Sequence, residues 1–264
     1  MKTVQEFKEK KDCHEKITMI TCYDYTSATI VEKTQIDCVL VGDSAAMVMH
    51  GEDNTTYATV EQIVWCTQAV SRGIKSKFII GDMPFMSYRT SLSETMNAVA
   101  SFIRAGAHAI KLEGAHGNLE MIKHIVESGV PVMGHIGMTP QHIHAMGGFK
   151  VQGKTQEAYD SLIKQAKQLE ENGCFSIVLE CVPSQLAKEI TDSLSIPTIG
   201  IGAGSGTDGQ VLVFQDLLGL QTEFKPKFVK TYLNGAELFT KSIDQFVEEV
   251  QDQTFPSEDH TYGK

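Results

Sequence analysis

The chain alternates short apolar runs with longer segments in which apolar residues recur at helical spacing. Several of the short runs are apolar without alternation, which is typical of parallel strands covered on both faces. We therefore predict strands at 17–22, 37–41, 77–81, 108–112, 131–135, 176–180 and 196–200, and a less certain strand at 210–215.

Helical segments fall between these strands, and two of them carry clear start signals. Thr59 with Gln62, and Ser91 with Glu94, match the capping box, in which two side chains satisfy free backbone N–H groups at a helix start. The predicted helices span 59–72, 91–105, 118–128, 156–172, 184–194 and 236–250.

This order of elements predicts an α/β protein built from βα repeats. We expect residues 1–264 to form a single (β/α)₈ TIM barrel, a fold that suits this length. A doubly wound open sheet is the alternative. Within 201–216 there is room for only a short helix or a loop before the eighth strand. Residues 1–15 are expected to be detachable, and the polar tail 251–264 to be loosely ordered.

Composition narrows the functional classes. The chain carries 23 Lys and Arg against 33 Asp and Glu, a net charge of −10, which argues against general binding of nucleic acid or anionic membranes. The six cysteines form no C-x-x-C pair, so scattered thiols in a reducing compartment are expected. No signal peptide is visible, nor any apolar run near the roughly 20 residues of a membrane span. A cytoplasmic protein is therefore expected.

Polar side chains stand where the predicted strands stop, which is the end of an α/β barrel that carries active sites. The sharpest set is Asp43, Asp82 and Glu113, on the second, third and fourth strands. Three converging carboxylates repel one another unless a cation neutralises them, and oxygen ligands suit Mg²⁺. The alternative is that each carboxylate caps the following loop or pairs with a lysine. Asp24 follows the first strand in the same way.

Three further residues extend the strand-end set. Lys111 lies two positions before Glu113, so both side chains can point into the barrel. Its ammonium could bind a carboxylate, stabilise an enolate, act as a Schiff-base nucleophile, or simply pair with Glu113. Glu180 ends an apolar strand and is a candidate general base, or a carboxylate at a helix start. His135 fits a hydrogen-bonded structural histidine better than a catalytic one.

Other motifs carry less information. The G-x-G-x-x-G pattern at 204–209 lacks a clear strand–helix context, so a tight loop is expected rather than a nicotinamide site. Ser44 has no evident base partner. His142 and His144 could line the entrance or be solvated, and no metal role is expected for either. The loops 44–58 and 136–154 are candidates for lids.

A series of motifs runs nearly from end to end of the chain. They are TCYDYTSA (21–28), VGDSAAMVMHG (41–51), GDMPFMSY (81–88), IKLEGA (110–115), GHIGMTPQ (134–141), GGFKVQGK (147–154), VLECVPSQLA (178–187), IPTIGIGAG (196–204) and TDGQVLV (207–213). In this order they resemble the ketopantoate hydroxymethyltransferase family. Two departures are visible: Ala45 and Ala46 stand where Leu-Gly is usual, and His142 where Ser is usual. Every expected charged group is retained.

The resemblance implies a barrel related in architecture to phosphoenolpyruvate mutase and isocitrate lyase, and a homo-oligomer like the decamers of bacterial members. The small-molecule partners would be a keto acid and a folate. The residue roles implied are Mg²⁺ binding by Asp43, Asp82 and Glu113, in part through water; keto acid binding by Asp43, Ser44, Asp82 and Lys111; general base action by Glu180; and lining of the site by His135.

The implied reaction joins 3-methyl-2-oxobutanoate to the one-carbon unit of 5,10-methylenetetrahydrofolate. Mg²⁺ would polarise the keto acid, Glu180 would remove its C3 proton, and C3 would attack the methylene group. Water would complete 2-dehydropantoate and tetrahydrofolate. Three hypotheses compete: a Mg²⁺-dependent lyase or mutase of the isocitrate lyase type, a Schiff-base aldolase using Lys111, and a non-catalytic protein in which the carboxylates are structural.

Overall fold

Eight parallel strands close into a barrel in the computed structural model, which describes residues 1–222 and 226–263. Each strand pairs with the next, and the eighth pairs with the first. The strands are β1 (Ile17–Thr21), β2 (Cys38–Val41), β3 (Phe78–Asp82), β4 (Ala109–Glu113), β5 (Val132–Gly137), β6 (Ser176–Glu180), β7 (Thr198–Ile201) and β8 (Gly209–Leu212). The predicted (β/α)₈ barrel is confirmed, and the open-sheet alternative is wrong.

The α-helices are numbered here in chain order. They are α1 (Val4–Asp12), α2 (Tyr25–Glu32), α3 (Ala45–His50), α4 (Val60–Gly73), α5 (Leu92–Arg104), α6 (Leu119–Glu127), α7 (Ile143–Met146), α8 (Gln156–Glu171), α9 (Ser184–Ser193), α10 (Phe214–Leu217) and α11 (Gly235–Gln251). All six predicted helices are present, and both predicted capping boxes form. The unpredicted helices have at most nine residues, too few to establish a helical period.

The stretch between β7 and β8 is a loop, as the short spacing predicted. It contains all of the glycine pattern 204–209 except Gly209, which begins β8, and it packs tightly against α9. Gly204 has φ +76°, and a Cβ at this position would lie 2.6 Å from the Ser184 Cβ. The glycine therefore serves a close approach between loop and helix.

The interior of the barrel is apolar toward the N-terminal ends of its strands. Along each strand the inward side chains recur at every second residue, as strand geometry requires. The buried cluster consists of Phe7, Ile17, Met19, Cys38, Leu40, Phe78, Ile80, Ala109, Met133, Val178, Ile199 and Val211. Continuing the same period along β3, β4, β5 and β6 reaches the charged residues at the other end.

Helix α1 closes the apolar end of the barrel, so the prediction that residues 1–15 are detachable is wrong. The Phe7 side chain is fully buried, and its ring contacts Phe78 and Phe175 edge-to-face at 5.3 and 5.0 Å between centroids. Two ion pairs of 2.8 Å, Lys10 with Asp37 and Lys11 with Asp208, hold the helix in place. Because most residues of α1 are polar, the sequence pattern did not reveal that Phe7 is buried in the end of the barrel.

Contacts divide the chain into two compact units, one of them Met1–Val213 with the complete barrel, the other beginning at Phe214. The second unit contains α10, α11 and a 3₁₀ turn at Glu258–His260. The assignment of 1–264 to one domain with a loose tail stays a prediction. Within the described residues, no helix combines the length and apolar character needed to cross a membrane.

Candidate active site

Strand register brings the predicted residues to one end of the barrel. Asp82 lies opposite Lys111 on the neighbouring strand, and Glu113 lies opposite His135. The backbone N–H of Asp43, just beyond β2, donates to Asp82 Oδ2 at 3.2 Å. All five residues are buried. The convergence expected from strand ends is therefore present in the structure.

Lys111 supplies the positive charge at the centre of this group. Its Nζ lies 2.6 Å from Asp82 Oδ1 and 3.9 Å from Glu113 Oε1, so Lys111 and Glu113 do share a face of β4. Burial alone would lower the lysine pKa, but Asp82, Glu113 and Asp43 outweigh it and raise the pKa above its ordinary value. The side chain is thus held as an ammonium.

The carboxylates share this one ammonium unequally. Burial, followed by repulsion from Asp82 and Glu113, raises the pKa of Asp43 well above its ordinary value. Burial and the Glu113 charge also raise the pKa of Asp82, despite the opposing effect of Lys111. The pKa of Glu113 falls below its usual range although burial opposes this, because His135, His142 and Lys111 stabilise its charge. The single Lys111 ammonium therefore does not balance the negative charges of Asp43, Asp82 and Glu113, and the pKa values of Asp43 and Asp82 rise as a result.

His135 lies between two carboxylates. Its Nδ1 is 3.3 Å from Glu113 Oε1, and its Nε2 is 3.3 Å from Glu180 Oε2. Burial and Lys111 lower the pKa of His135, but the two flanking carboxylates raise it to about 9. The Glu180 side chain is 17% exposed, whereas that of Glu113 is 1% exposed. Of the two carboxylates that flank His135, Glu180 is therefore the one that a substrate can reach.

Three other predicted residues lie in different settings. Ser44 is partly exposed beside the cluster, and its hydroxyl is 2.8 Å from the Tyr23 hydroxyl. Asp24 is not part of the cluster, because its carboxylate accepts from the Ser27 N–H and hydroxyl and caps α2. His144 is exposed on α7.

Gln141 is a site residue that the strand-end rule missed. Its Nε2 donates to Asp43 Oδ2 at 2.8 Å and to the Met83 carbonyl at 2.9 Å, and its backbone N–H donates to Glu113 Oε2 at 3.0 Å. The Tyr88 hydroxyl donates to Gln141 Oε1 at 2.6 Å. The only signal in the sequence is the position of Gln141 at the end of the motif 134–141.

The donor set fits a hard divalent cation. Asp43 and Asp82 are adjacent buried carboxylates with raised pKa values, and the buried Glu113 Oε1 makes no hydrogen bond to the described residues. Within residues 1–222 and 226–263, however, no three Asp, Glu, His or Cys side chains form a ready-made metal cluster. Mg²⁺ typically takes one or two carboxylates and keeps several waters. A Mg²⁺ ion at this position would accordingly rely on few direct carboxylate ligands, and the assignment of Asp43, Asp82 and Glu113 to it stays a prediction.

Comparison with known proteins places the chain in a family. A family model described as "Ketopantoate hydroxymethyltransferase" matches residues 1–258. The chain belongs to the ketopantoate hydroxymethyltransferase family. A relative from Francisella tularensis subsp. tularensis (strain WY96-3418), named 3-methyl-2-oxobutanoate hydroxymethyltransferase, is 60% identical over 262 residues and 99% of each chain. One of the same name from Bdellovibrio bacteriovorus is 55% identical over the full length of both.

Membership of the ketopantoate hydroxymethyltransferase family makes the chain a transferase and sets aside the non-catalytic hypothesis. Solved structures resemble it in fold alone. Phosphonopyruvate hydrolase with oxalate and Mg²⁺ has a TM-score of 0.64 at 11% identity, covering 98% of this chain and 93% of the other. For 2,3-dimethylmalate lyase, a member of the PEP mutase/isocitrate lyase superfamily, the score is 0.60 at 12% identity, covering 100% and 92%. The predicted architectural relationship is confirmed.

Proposed function

We propose that the chain transfers the one-carbon unit of 5,10-methylenetetrahydrofolate to 3-methyl-2-oxobutanoate, yielding 2-dehydropantoate and tetrahydrofolate in pantothenate synthesis. Family membership supplies the reaction class. The assignment of residues rests on one observation. Glu180, Lys111 and the buried carboxylates of Asp43 and Asp82 lie together at one end of the barrel. That combination provides a base, a carboxylate-binding cation and a place for a divalent metal.

Mg²⁺ is the metal that we propose for this site. Asp43 and Asp82 would hold it directly and Glu113 through water, an arrangement supported by the oxygen-only donor set and the raised pKa values. When bound, the ion supplies Lewis acidity that polarises the keto group of the substrate. Gln141 keeps the Asp43 carboxylate oriented through its amide N–H.

The keto acid would be held by the residues around this position. The Lys111 ammonium offers charge-assisted hydrogen bonds to the substrate carboxylate, and the partly exposed Ser44 hydroxyl offers a second polar contact. Asp43 and Asp82 would also face the keto acid. A Schiff-base role for Lys111 is disfavoured, because its raised pKa withholds the neutral amine that such a nucleophile requires.

Glu180 would act as the general base. It takes the C3 proton of the keto acid, and the electron pair of the broken C–H bond forms the new bond from C3 to the folate methylene carbon. The methylene carbon is bonded to two folate nitrogens. One of these bonds breaks to open the reactive iminium form, and the other breaks after C3 has attacked. Water supplies the oxygen of the product hydroxyl, and the proton from C3 and one proton from water end on the two nitrogens of tetrahydrofolate. His135, which lies between Glu113 and Glu180 at 3.3 Å from each, would position the base.

Self-association is proposed from an exposed stripe on α11. Phe239, Ile243, Phe246 and Val250 are 60%, 62%, 53% and 46% exposed, and their spacing places them on one face of that helix. Such a stripe is typical of an interface, which supports a homo-oligomer, a decamer by family resemblance. All six cysteines are free, which supports a reducing, cytoplasmic location.

Proton NMR in D₂O tests the first half of this reaction. The protein is incubated with 3-methyl-2-oxobutanoate and Mg²⁺, without folate, and loss of the C3 proton signal is followed with and without a chelator. We expect exchange that requires the metal, and we expect tetrahydrofolate to be needed only for the later transfer. If no exchange occurs even with tetrahydrofolate present, the substrate assignment is wrong and the lyase hypothesis returns.

The Glu180→Gln variant tests the base. It keeps the size and polarity of the side chain but removes its proton-accepting charge, so turnover should fall by roughly 10²–10⁴-fold. Binding of the keto acid with Mg²⁺ should remain. Glu171→Gln, an exposed residue at the end of α8, is the matched control. Turnover of Glu180→Gln equal to that of this control would refute the assignment.

A further inference from the structure

A cavity of about 460 Å³ lies beside the carboxylate cluster. It is bounded by loops that follow β3, β4 and β5 and by α8, with Arg89, Gly114, Thr139 and Ser161 among its walls. This volume is within the range of pockets that take drug-sized ligands. The proposed keto acid has only five carbons and already has its contacts at the carboxylate cluster.

Arg89 gives the described wall of this cavity a positive charge, which favours an anion. Arg89, His116 and His142 line it, and no carboxylate stands among the described residues of its wall. This is unusual on a chain with a net charge of −10. A pocket with one sign of charge concentrates ligands of the opposite sign. Apolar walls from Ile136 and Leu162 also offer contact to a ring.

The Arg89 guanidinium is held in place but retains unused donor capacity. Its Nη1 donates to the His116 carbonyl at 3.2 Å, and its Cζ lies 5.8 Å from the centre of the Tyr88 ring. Its Nε is buried and has no hydrogen-bond partner among the described residues. That atom is closed off from the cavity, so a ligand carboxylate would instead pair with Nη2, which lies beside Gly114 at the cavity wall, through a charge-assisted hydrogen bond.

Gly114 connects the cavity with the carboxylate cluster. It directly follows Glu113 and has φ +80°, and a Cβ there would lie 3.4 Å from Arg89 Nη2 and 3.8 Å from His142 Cε1. His142 Nδ1 is in turn 3.9 Å from Glu113 Oε2. The two sites are thus separated by little more than one backbone residue and one imidazole.

We propose that this cavity binds the second substrate, an aromatic compound that carries carboxylates, and that Arg89 pairs with a carboxylate of its glutamyl end. This inference rests on the proposed function, in which tetrahydrofolate carries the one-carbon unit. The adjacency at Gly114 brings the bound cofactor close to the keto acid, as transfer between two substrates requires.

Tetrahydrofolate binding to Arg89→Gln tests the proposal, with Arg104→Gln, an exposed arginine in the last turn of α5, as the matched control. Dissociation constants are measured by equilibrium dialysis. Arg89→Gln should weaken binding at least roughly tenfold, the loss expected for one hydrogen bond to a charged group. The control should bind as wild type does. 6-Methyltetrahydropterin, which has no carboxylate, should bind wild type and Arg89→Gln alike.

A second variant guards against a purely local effect. Ser161→Phe places a ring in the cavity from α8 and should also weaken tetrahydrofolate binding, while keto acid affinity, measured in parallel, reports on the neighbouring site. Unchanged folate affinity in both variants would overturn the assignment of the cavity and leave the proposed function intact. Failure of the wild-type protein to bind tetrahydrofolate would overturn the proposed function and this inference with it.

Discussion

Gln141 shows how one neutral residue can order a group of charged ones. It contacts Asp43 through its amide and Glu113 through its backbone, although it is 98 positions from Asp43 in the chain. Tyr88 fixes the orientation of the amide by donating to its oxygen. The Asp43 carboxylate thus accepts from a neutral amide, which leaves its charge available for a cation.

The Gln141→Leu variant should therefore affect metal binding more than the fold. It removes both amide donors at similar side-chain size, so we expect Mg²⁺-dependent keto acid binding to weaken about tenfold, with a stability loss of about 1–3 kcal/mol. Calorimetric titration measures the first effect and urea unfolding the second. Gln5→Leu, exposed on α1, is the control. A variant that loses stability but keeps wild-type Mg²⁺ affinity would show that Gln141 is only structural.

Helix α1 contributes to the fold through one side chain. Phe7 fills the apolar end of the barrel against Phe78 and Phe175, where an open barrel would expose its lowest layer to water. The capping box of Thr3 and Glu6 starts the helix at the place from which Phe7 can reach inward.

Phe7→Ala should consequently be a severe change. Removing a fully buried aromatic side chain costs about 3–5 kcal/mol of unfolding free energy. Lys8→Ala, on the same helix, removes only an exposed pair with Asp12 and should cost less than about 1 kcal/mol. Urea unfolding compares the two. Equal losses would mean that α1 does not close the barrel in solution.

The attachment of α1 also predicts a dependence on pH. Asp37 accepts from the Thr18 N–H at 2.8 Å and pairs with Lys10, and these contacts lower its pKa below the ordinary value of 3.8 although burial opposes them. A carboxylate with a depressed pKa stabilises the fold above that ordinary value and loses the effect as the pH falls through its folded pKa.

Asp37→Asn should therefore destabilise the protein by about 1 kcal/mol at pH 7, and the difference from wild type should shrink below pH 3.8. Unfolding free energies at pH 7, 5 and 3 check this, since effects of other groups cancel in the difference between the two proteins. A difference that grows on acidification would contradict the assignment.

On the scale of the whole molecule, the stripe on α11 predicts assembly. We expect the wild-type assembly to have a mass that is a multiple of 29.0 kDa. The double variant Phe239→Asp, Ile243→Asp should have a lower mass in solution, because each new charge would have to be buried in the interface. Glu248→Lys, on the opposite face of the same helix, should leave the mass unchanged. Light scattering after gel filtration measures both. An unchanged mass in the double variant would remove the stripe from the interface.

Much of the architecture was predictable because it depends on local pattern. Each βα repeat directs the end of its strand to the same side of the barrel, so Asp43, Asp82, Glu113 and Glu180 could be grouped without coordinates. The same rule included Asp24, which caps a helix instead, because strand-end position does not reveal where a side chain turns. The roles of the grouped residues stay predictions.

The amino-acid sequence alone determined the order of strands and helices, the barrel and the identity of the charged strand ends, since each follows from a period of two or 3.6 residues. Only the tertiary structure decided that Gln141 joins Asp43 to Glu113, that Phe7 closes the barrel, and that Arg89 faces a cavity. These contacts join segments far apart in the chain through loops without a repeating pattern. Their geometry arises only when the barrel closes and sets the register between strands.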